Sequence, residues 1–330
     1  MSSARRLLQY GTVVALTMCF CRAQAPDFYK KIGRVTWVVK SLDRPLDGWT
    51  RLGLSNLERF DSLAYKGKYR DQAIGGTLRM ATGQLGTLTI DMVQPPAASE
   101  AFNSFLARRG DGVFSIVHDV TSSEAVAKEV ERMRTLGVEV LERLDLEIDH
   151  VPVSFTFFDT EPKGKYVLGL AYRPGSTPAA AGSNRVSHFA FVVREMESVS
   201  AFWTRIGFAA VRLDHASPRD DGTYHGKPLL LPFEVGWDGH TRPGAEWIVP
   251  PRTPANCYND FIAVHGEGLH HVGVPVDDLE QAVAQYRQLG YPVLQTGAWG
   301  ENGKKGSGRY SYMDTDSIGG VCVELIRAIK

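Results

Sequence analysis

One part of this chain repeats another. NSFLARRGDGVFSIVHDV (103–120) and NDFIAVHGEGLHHVGVPV (259–276) share Asn, Phe, Ala, Gly, Gly and Val in register at a constant offset of 156 residues, with Leu/Ile and Asp/Glu exchanged conservatively. RVTWVVKSLDRPLDGWTRLGL (34–54) aligns with RVSHFAFVVREMESVSAFWTRIGF (185–208) at an offset of 151, each reading as a strand followed by an amphipathic helix that ends at Gly. A duplication of this length restricts the 330-residue chain to two related halves. Within each half the pattern occurs twice, opening on RVTWVV, GVFSIVHDV, RVSHFAFVV and LHHVGVPV, which are apolar runs of strand length. Helical stretches such as 122–137 and 278–290 follow, stopped by Gly137 and Gly290. Three shorter strands close each unit, the last being 87–95, 166–174, 245–251 or 320–326. The expectation is an α+β chain of four βαβββ modules in two pairs, 30–175 and 183–330, joined by the Pro-, Ala-, Gly- and Ser-rich linker 173–184.

Ahead of the first module, Arg5 and Arg6 precede a short apolar run that ends in Ala23-Gln24-Ala25, the order of a secretory signal peptide over residues 1–25. That run is short for a bilayer span of about 20 residues. A secreted or periplasmic protein with no stable membrane span after cleavage is therefore expected. Removal of the signal leaves Cys257 and Cys322, expected as two isolated buried thiols. The 37 basic and 37 acidic side chains cancel, which argues against a nucleic-acid partner, since phosphates require an excess of Lys and Arg. A monomer or a homodimer is compatible with two covalently joined module pairs, and the expected partner is a small-molecule substrate.

Aligned on their openings, the modules carry Trp37, Ser115, His188 and His271 at one position, and on their last strands Asp91, Gly169, Glu246 and Glu324 at another. Only the second half supplies a His and a Glu from each module. A carboxylate inside the apolar runs AEWIVP and VCVELI needs a partner charge or a metal. His188, Glu246, His271 and Glu324 are thus the candidate ligands of one divalent ion. Imidazole with carboxylate suits Zn, Ni, Co, Mn or Fe. His270 is expected on the opposite strand face as a structural residue, and His215, His225, His240 and His265 as solvated loop residues. Lys304, Lys305 and Arg309, in or beside the Gly-rich stretch GENGKKGSG, could meet an anionic substrate under a lid, although a solvated turn is the plainer reading.

VSHFAFVV, GEGLHHVGVPVDDLEQAVAQYRQLG and YMDTDSIGGVCVELI resemble the vicinal oxygen chelate superfamily of glyoxalase I, methylmalonyl-CoA epimerase, extradiol dioxygenases and bleomycin-resistance proteins. The resemblance implies two paired-module glyoxalase-like domains, the second cupped around a metal held by His188, Glu246, His271 and Glu324, the first a metal-free scaffold. It is nearest to glyoxalase I and the epimerase. It implies an enzyme that chelates vicinal oxygens of a small carbonyl substrate and stabilises an enediolate, an isomerase, epimerase or glyoxalase-type lyase with Glu246 or Glu324 as base. The alternatives are a non-haem Fe(II) extradiol-type dioxygenase using His188, His271 and Glu324 with Tyr310 or Tyr312 near the substrate, or a small-ligand-binding protein of bleomycin-resistance type.

Overall fold

The computed structural model describes residues 24–148, 150–175, 185–216, 221–239 and 241–329; residues 1–23 of the signal segment and most of the linker 173–184 lie outside them. The first module is β1 (Arg34–Val38), α1 (Asp43–Arg51), β2 (Ser55–Tyr69), β3 (Gln72–Leu85) and β4 (Leu88–Gln94). After α2 (Glu100–Arg109) comes the second: β5 (Gly112–Val120), α3 (Ser123–Thr135), β6 (Val140–Ile148), β7 (Val151–Phe158), the short α4 (Glu161–Gly164) and β8 (Val167–Tyr172). The third comprises β9 (His188–Val192), α5 (Glu197–Arg205), β10 (Arg212–Ala216), a small hairpin β11 (Gly222–Tyr224) and β12 (Lys227–Leu229), β13 (Phe233–Trp237) and β14 (Gly244–Val249). Following α6 (Cys257–His265), the fourth is β15 (Gly268–Pro275), α7 (Leu279–Gln288), β16 (Val293–Trp299), β17 (Gly308–Met313) and β18 (Cys322–Ala328).

Local chemistry sets these boundaries. Ser122 and Asp278 cap α3 and α7 by accepting from the amides of Ala125 and Gln281, satisfying donors that the first helical turn leaves free. Gly137 and Gly290 end the same two turns at φ 72° and 92°, a conformation costly for any residue with a Cβ. In each module the first and last strands lie parallel, and the two opening strands of a pair, β1 with β5 and β9 with β15, run antiparallel at its centre.

The halves then diverge. In the first, β2 is 15 residues long and pairs with β6, so the sheet closes into a barrel of eight strands. Phe102, Phe114, Phe155, Phe157, Leu144 and Met80 fill its interior. In the second, β10 has only 5 residues and does not reach β16, which instead receives the β11–β12 hairpin; the result is an open ten-stranded sheet. A closed barrel of this size is filled by its own side chains, whereas an open cup leaves space inside.

The two halves share a core in which Trp37, Trp49, Phe191, Trp203, Phe158 and Ile318 are buried together. Their contacts are reciprocal. Trp49 of α1 donates to the Ile318 carbonyl at 2.9 Å, and Trp203 of α5 donates to the Gly164 carbonyl at 3.1 Å. At the ends of α2 and α6, Arg109 donates to the His265 carbonyl and pairs with Glu161, while His265 Nδ1 meets the Arg109 carbonyl at 2.6 Å and its Nε2 meets Asp316 at 2.7 Å. His265 is therefore a buried clasp between the halves and not a solvated loop residue. The helical period of α6, read past His265, turns that side chain toward α2.

Burial disfavours charge on His265, but its bonds to Asp316 and to the Arg109 carbonyl outweigh that penalty and raise its pKa. Because the folded value is raised, its stabilisation is complete below the free-imidazole value of about 6.5 and fades as pH climbs through the folded value. Thermal unfolding of wild type and His265→Gln between pH 5.5 and 8.5 should give Tm values whose difference narrows as pH rises; a constant difference would show that the clasp does not depend on the imidazolium.

Candidate metal centre

The four candidate ligands come from four adjacent strands of the open sheet, in the order β14, β9, β15, β18. His188 opens β9 opposite Gly273 of β15, and His271 stands opposite Ala190. Glu246 and Glu324 lie across from Ala190 and Gly273 on the outer strands, each two residues past the partner of a histidine. Small residues in the middle make room for the imidazoles. A Cβ on Gly273 would sit 2.2 Å from His188 Cε1, so the ring lies flat over that glycine.

This register brings all four side chains together, with one donor atom from each within 4.8 Å of the others. His188 Nε2 is 3.4 Å from His271 Nε2, 3.0 Å from Glu324 Oε2 and 3.5 Å from Glu246 Oε2. His271 Nε2 is 3.3 Å from Glu324 Oε2 and 3.5 Å from Glu246 Oε2. Donors placed about 2.0–2.2 Å from one ion stand about 2.9–3.5 Å from one another. Five of the six separations thus lie at or close to the range a divalent cation imposes, and the N/O character of the set suits Zn, Ni, Co, Mn or Fe.

Neighbours orient the rings. The Ser187 hydroxyl donates to the Gly273 carbonyl at 3.1 Å and so accepts from His188 Nδ1, also at 3.1 Å, which leaves Nε2 with its lone pair toward the cluster. A bulge between Leu269 and His271 brings His270 into contact with its neighbour, Nδ1 to Nδ1 at 2.8 Å, inside a box of Tyr258, Phe261 and Tyr312. Strict alternation along β15 misses this support, because the bulge breaks the period of two. Without a cation the cluster is held by its own charges. Burial opposes ionisation of His271, but Glu324 and Glu246 push its pKa up to about 9. Burial likewise opposes the Glu324 carboxylate, and the charge of His271 beside it holds it down at about 2.

The first half reuses the same frame with other chemistry, and here the sequence alignment needs correction. β1 pairs with β4 and β5 in the register that β9 uses with β14 and β15, which puts Arg34 and not Trp37 in the place of His188. Both openings begin Arg-Val, but the lead-in to β9 is longer, so the correct frame matches VTWVV to FAFVV. Trp37 is instead buried between the halves and donates to the Gly319 carbonyl. Asp91, Ser115 and Gly169 do occupy the places of Glu246, His271 and Glu324. Arg34 Nη1 meets the buried Asp91 carboxylate at 2.6 Å, with Thr82 donating to its other oxygen at 2.9 Å. A covalently attached cation thus neutralises the one carboxylate of that frame. At Gly169 a Cβ would come within 2.6 Å of Ser115 Oγ, so a glutamate cannot enter there without displacement.

A cavity of about 680 Å³ opens from the second-half cluster, lined by His188, Glu246 and Glu324 together with Tyr310, Tyr312 and a largely apolar wall. Lys304, Lys305 and Arg309 do not line it: both lysines are exposed, and Arg309 pairs with Asp221 at 3.3 Å. His225 is exposed in a turn as expected, His215 is exposed but lies on strand β10 opposite Glu234 and not in a loop, and His240 lies outside the described residues. Cys257 and Cys322 are free, buried thiols.

Two measurements probe the cluster. Gly273→Ala removes no donor yet crowds His188, and should weaken binding of one zinc ion roughly 10–100-fold, the loss typical of disturbed ligand orientation; unchanged affinity in a chelator competition would discount the packing argument. At pH 7 the ion-free protein carries a proton on His271, which ligation must expel. Calorimetric zinc titration should therefore give a heat that varies with the buffer's ionisation enthalpy, and an affinity that rises with pH toward about 9. A buffer-independent heat would contradict the charged imidazole.

Comparison with known proteins agrees with this architecture. Residues 247–312 match the model of the glyoxalase/bleomycin resistance protein/dioxygenase superfamily, a segment that includes His271. No curated protein matches the sequence. Among solved structures, a triple mutant of 4-hydroxymandelate synthase from Streptomyces coelicolor superposes at a TM-score of 0.57 and 16% identity, covering 91% of this chain and 93% of that one. A xylose isomerase-like TIM barrel/4-hydroxyphenylpyruvate dioxygenase fusion protein superposes at 0.51 and 15% identity over 91% of this chain, which spans 49% of the fusion. The family resemblance of the sequence therefore holds: residues 247–312 match the model of the glyoxalase/bleomycin resistance protein/dioxygenase superfamily, and the chain as a whole shares its fold with the 4-hydroxymandelate synthase variant.

Proposed function

We propose that the chain is a divalent-metal-dependent enzyme that moves a proton at the carbon beside two adjacent substrate oxygens, an isomerase, epimerase or glyoxalase-type lyase. The observation that carries this reading is the second carboxylate. Glu246 converges on both imidazoles together with Glu324, whereas activation of oxygen at a two-histidine, one-carboxylate centre needs open positions in place of a fourth protein donor. A bound ion would supply Lewis-acid polarisation of the substrate oxygens. The residues do the rest. His188 and His271, locked by Ser187 and His270, hold the reacting group's orientation, and the apolar wall excludes water. Glu246 Oε2 is the base that takes the carbon-bound proton and returns it. It stands farther from the imidazoles than Glu324 does, 3.5 Å against 3.0 and 3.3 Å, and its side chain is the more exposed of the two, 13% against 8%. Residues 1–25 support a secreted or periplasmic setting for this chemistry.

A second reading, an Fe(II) dioxygenase on His188, His271 and Glu324, draws equal support from the fold and rests on that same looser placement of Glu246, which would then be a cavity residue. One pair of experiments separates them. In deuterium oxide, the zinc- or nickel-loaded protein should wash deuterium into a 2-hydroxy ketone or a thiohemiacetal, and Glu246→Gln should slow the exchange about 10²–10⁴-fold while still binding one ion. Absence of exchange, with oxygen uptake by anaerobically iron-loaded protein given catechols, would replace the first reading by the second.

A further inference from the structure

The first module begins at Arg34, and residues 26–33 ahead of it take a course of their own, crossing from one half to the other. On the first half they are anchored twice. Tyr29, 2% exposed, donates to Glu129 of α3 at 2.9 Å, and the Lys31 carbonyl accepts from His118 Nδ1 of β5 at 2.7 Å. On the second half the Tyr29 ring meets Phe208, just after α5, with ring centres 5.0 Å apart.

The end of this segment reaches the lead-in to a candidate ligand. The Arg242 amide donates to the Lys30 carbonyl at 3.0 Å and the Ile32 amide donates to the Arg242 carbonyl at 2.9 Å, so Lys31 and Arg242 form a parallel bridge. Arg242 stands two residues ahead of β14, whose third residue is Glu246. Ile32, 5% exposed, packs into the shared core with Trp247 and Ala245. These two flank Glu246 in the strand and therefore face away from it, so Ile32 supports the back of β14 while the carboxylate projects from its front. Little else does so on that side. Beyond β14 the sheet has only β13 and the five-residue edge strand β10, whereas β18, which carries Glu324, is backed by β17, β16 and the hairpin. The lead-in to β18 is also tied to the first half, since Trp37 and Trp49 donate to the Gly319 and Ile318 carbonyls.

We propose that residues 26–33 are a positioning strap for Glu246: by pairing with Arg242 and packing behind β14 they fix the reach of that carboxylate toward His188 and His271. Ile32 is the positioning residue, because its amide makes one of these contacts and its side chain the other. The inference rests on the reading of Glu246 as a metal donor, and it gives the half without a metal site a part in building the centre.

The test reads the zinc affinity of the full chain by chelator competition, with thermal unfolding as a check on folding. Ile32→Pro removes the amide that the Arg242 carbonyl accepts from, and Lys31 already has the extended backbone, φ −125° and ψ 123°, that a residue before proline adopts. Ile32→Ala keeps the amide and shortens the side chain behind β14. Ile32→Pro should bind zinc about tenfold more weakly than wild type, Ile32→Ala more weakly by a smaller factor, and Ile32→Val as tightly as wild type. In a Glu246→Ala background the proline and alanine substitutions should each change affinity by less than about twofold, because the donor they position is gone. Equal losses in both backgrounds would mark a general structural role and overturn the strap, as would wild-type affinity in both Ile32→Pro and Ile32→Ala. If Ile32→Pro does not fold, Ile32→Ala makes the same comparison between backgrounds. Wild-type affinity in Glu246→Ala alone would defeat the donor reading and the strap with it, whereas the double-variant outcomes defeat the strap alone.

Discussion

A carboxylate taken out of water inside a sheet must be given a positive charge, and both halves of this protein are arranged around that demand. Where the duplicated frame keeps one carboxylate, Asp91, the chain supplies the charge itself through Arg34 at 2.6 Å. Where it keeps two, Glu246 and Glu324, it supplies two imidazoles, which can share protons with the carboxylates or give way to an ion. The difference is between a charge that is permanent and one that can be exchanged. A guanidinium does not deprotonate in a protein, so the first half is committed to an ion pair. An imidazole can become neutral and ligate, so the second half keeps the choice open.

The same divergence is repeated at the scale of the sheet. β2 is long enough to reach β6, and the closed barrel that results is packed with phenylalanine and leucine; the hairpin β11–β12 takes the corresponding place beside β16 and leaves the second sheet open. One half is thereby a rigid partner and the other a container. The matched contacts of Trp49 with the Ile318 carbonyl and of Trp203 with the Gly164 carbonyl, like the exchange between Arg109 and His265, follow the duplication closely.

Much of this was legible before any coordinates. The repeat, the strand that opens each module and the capped helices are written in local patterns of apolar residues, glycine and side-chain caps, and the structure has the α+β modules these imply. Glu246 and Glu324 stood out because a charge within an apolar run is energetically anomalous. What misled was counting. Matching Arg34 to Arg185 placed Trp37 where Arg34 belongs, because identical dipeptides outweighed the strand pairing that defines equivalence. His265 read as a loop residue because its partners, Arg109 and Asp316, are distant in sequence.

The sequence by itself therefore determined the number of modules, their internal order and the residue types that could ligate, since these depend on short-range periodicity and on the cost of burying charge. The tertiary structure alone decided which residues meet. Register across β14, β9, β15 and β18 brings His188, Glu246, His271 and Glu324 within 4.8 Å, and register of β1 with β4 turns Arg34 onto Asp91. Those outcomes rest on hydrogen bonding between strands far apart in the chain, and a pairing shifted by one residue would turn every one of these side chains to the other face.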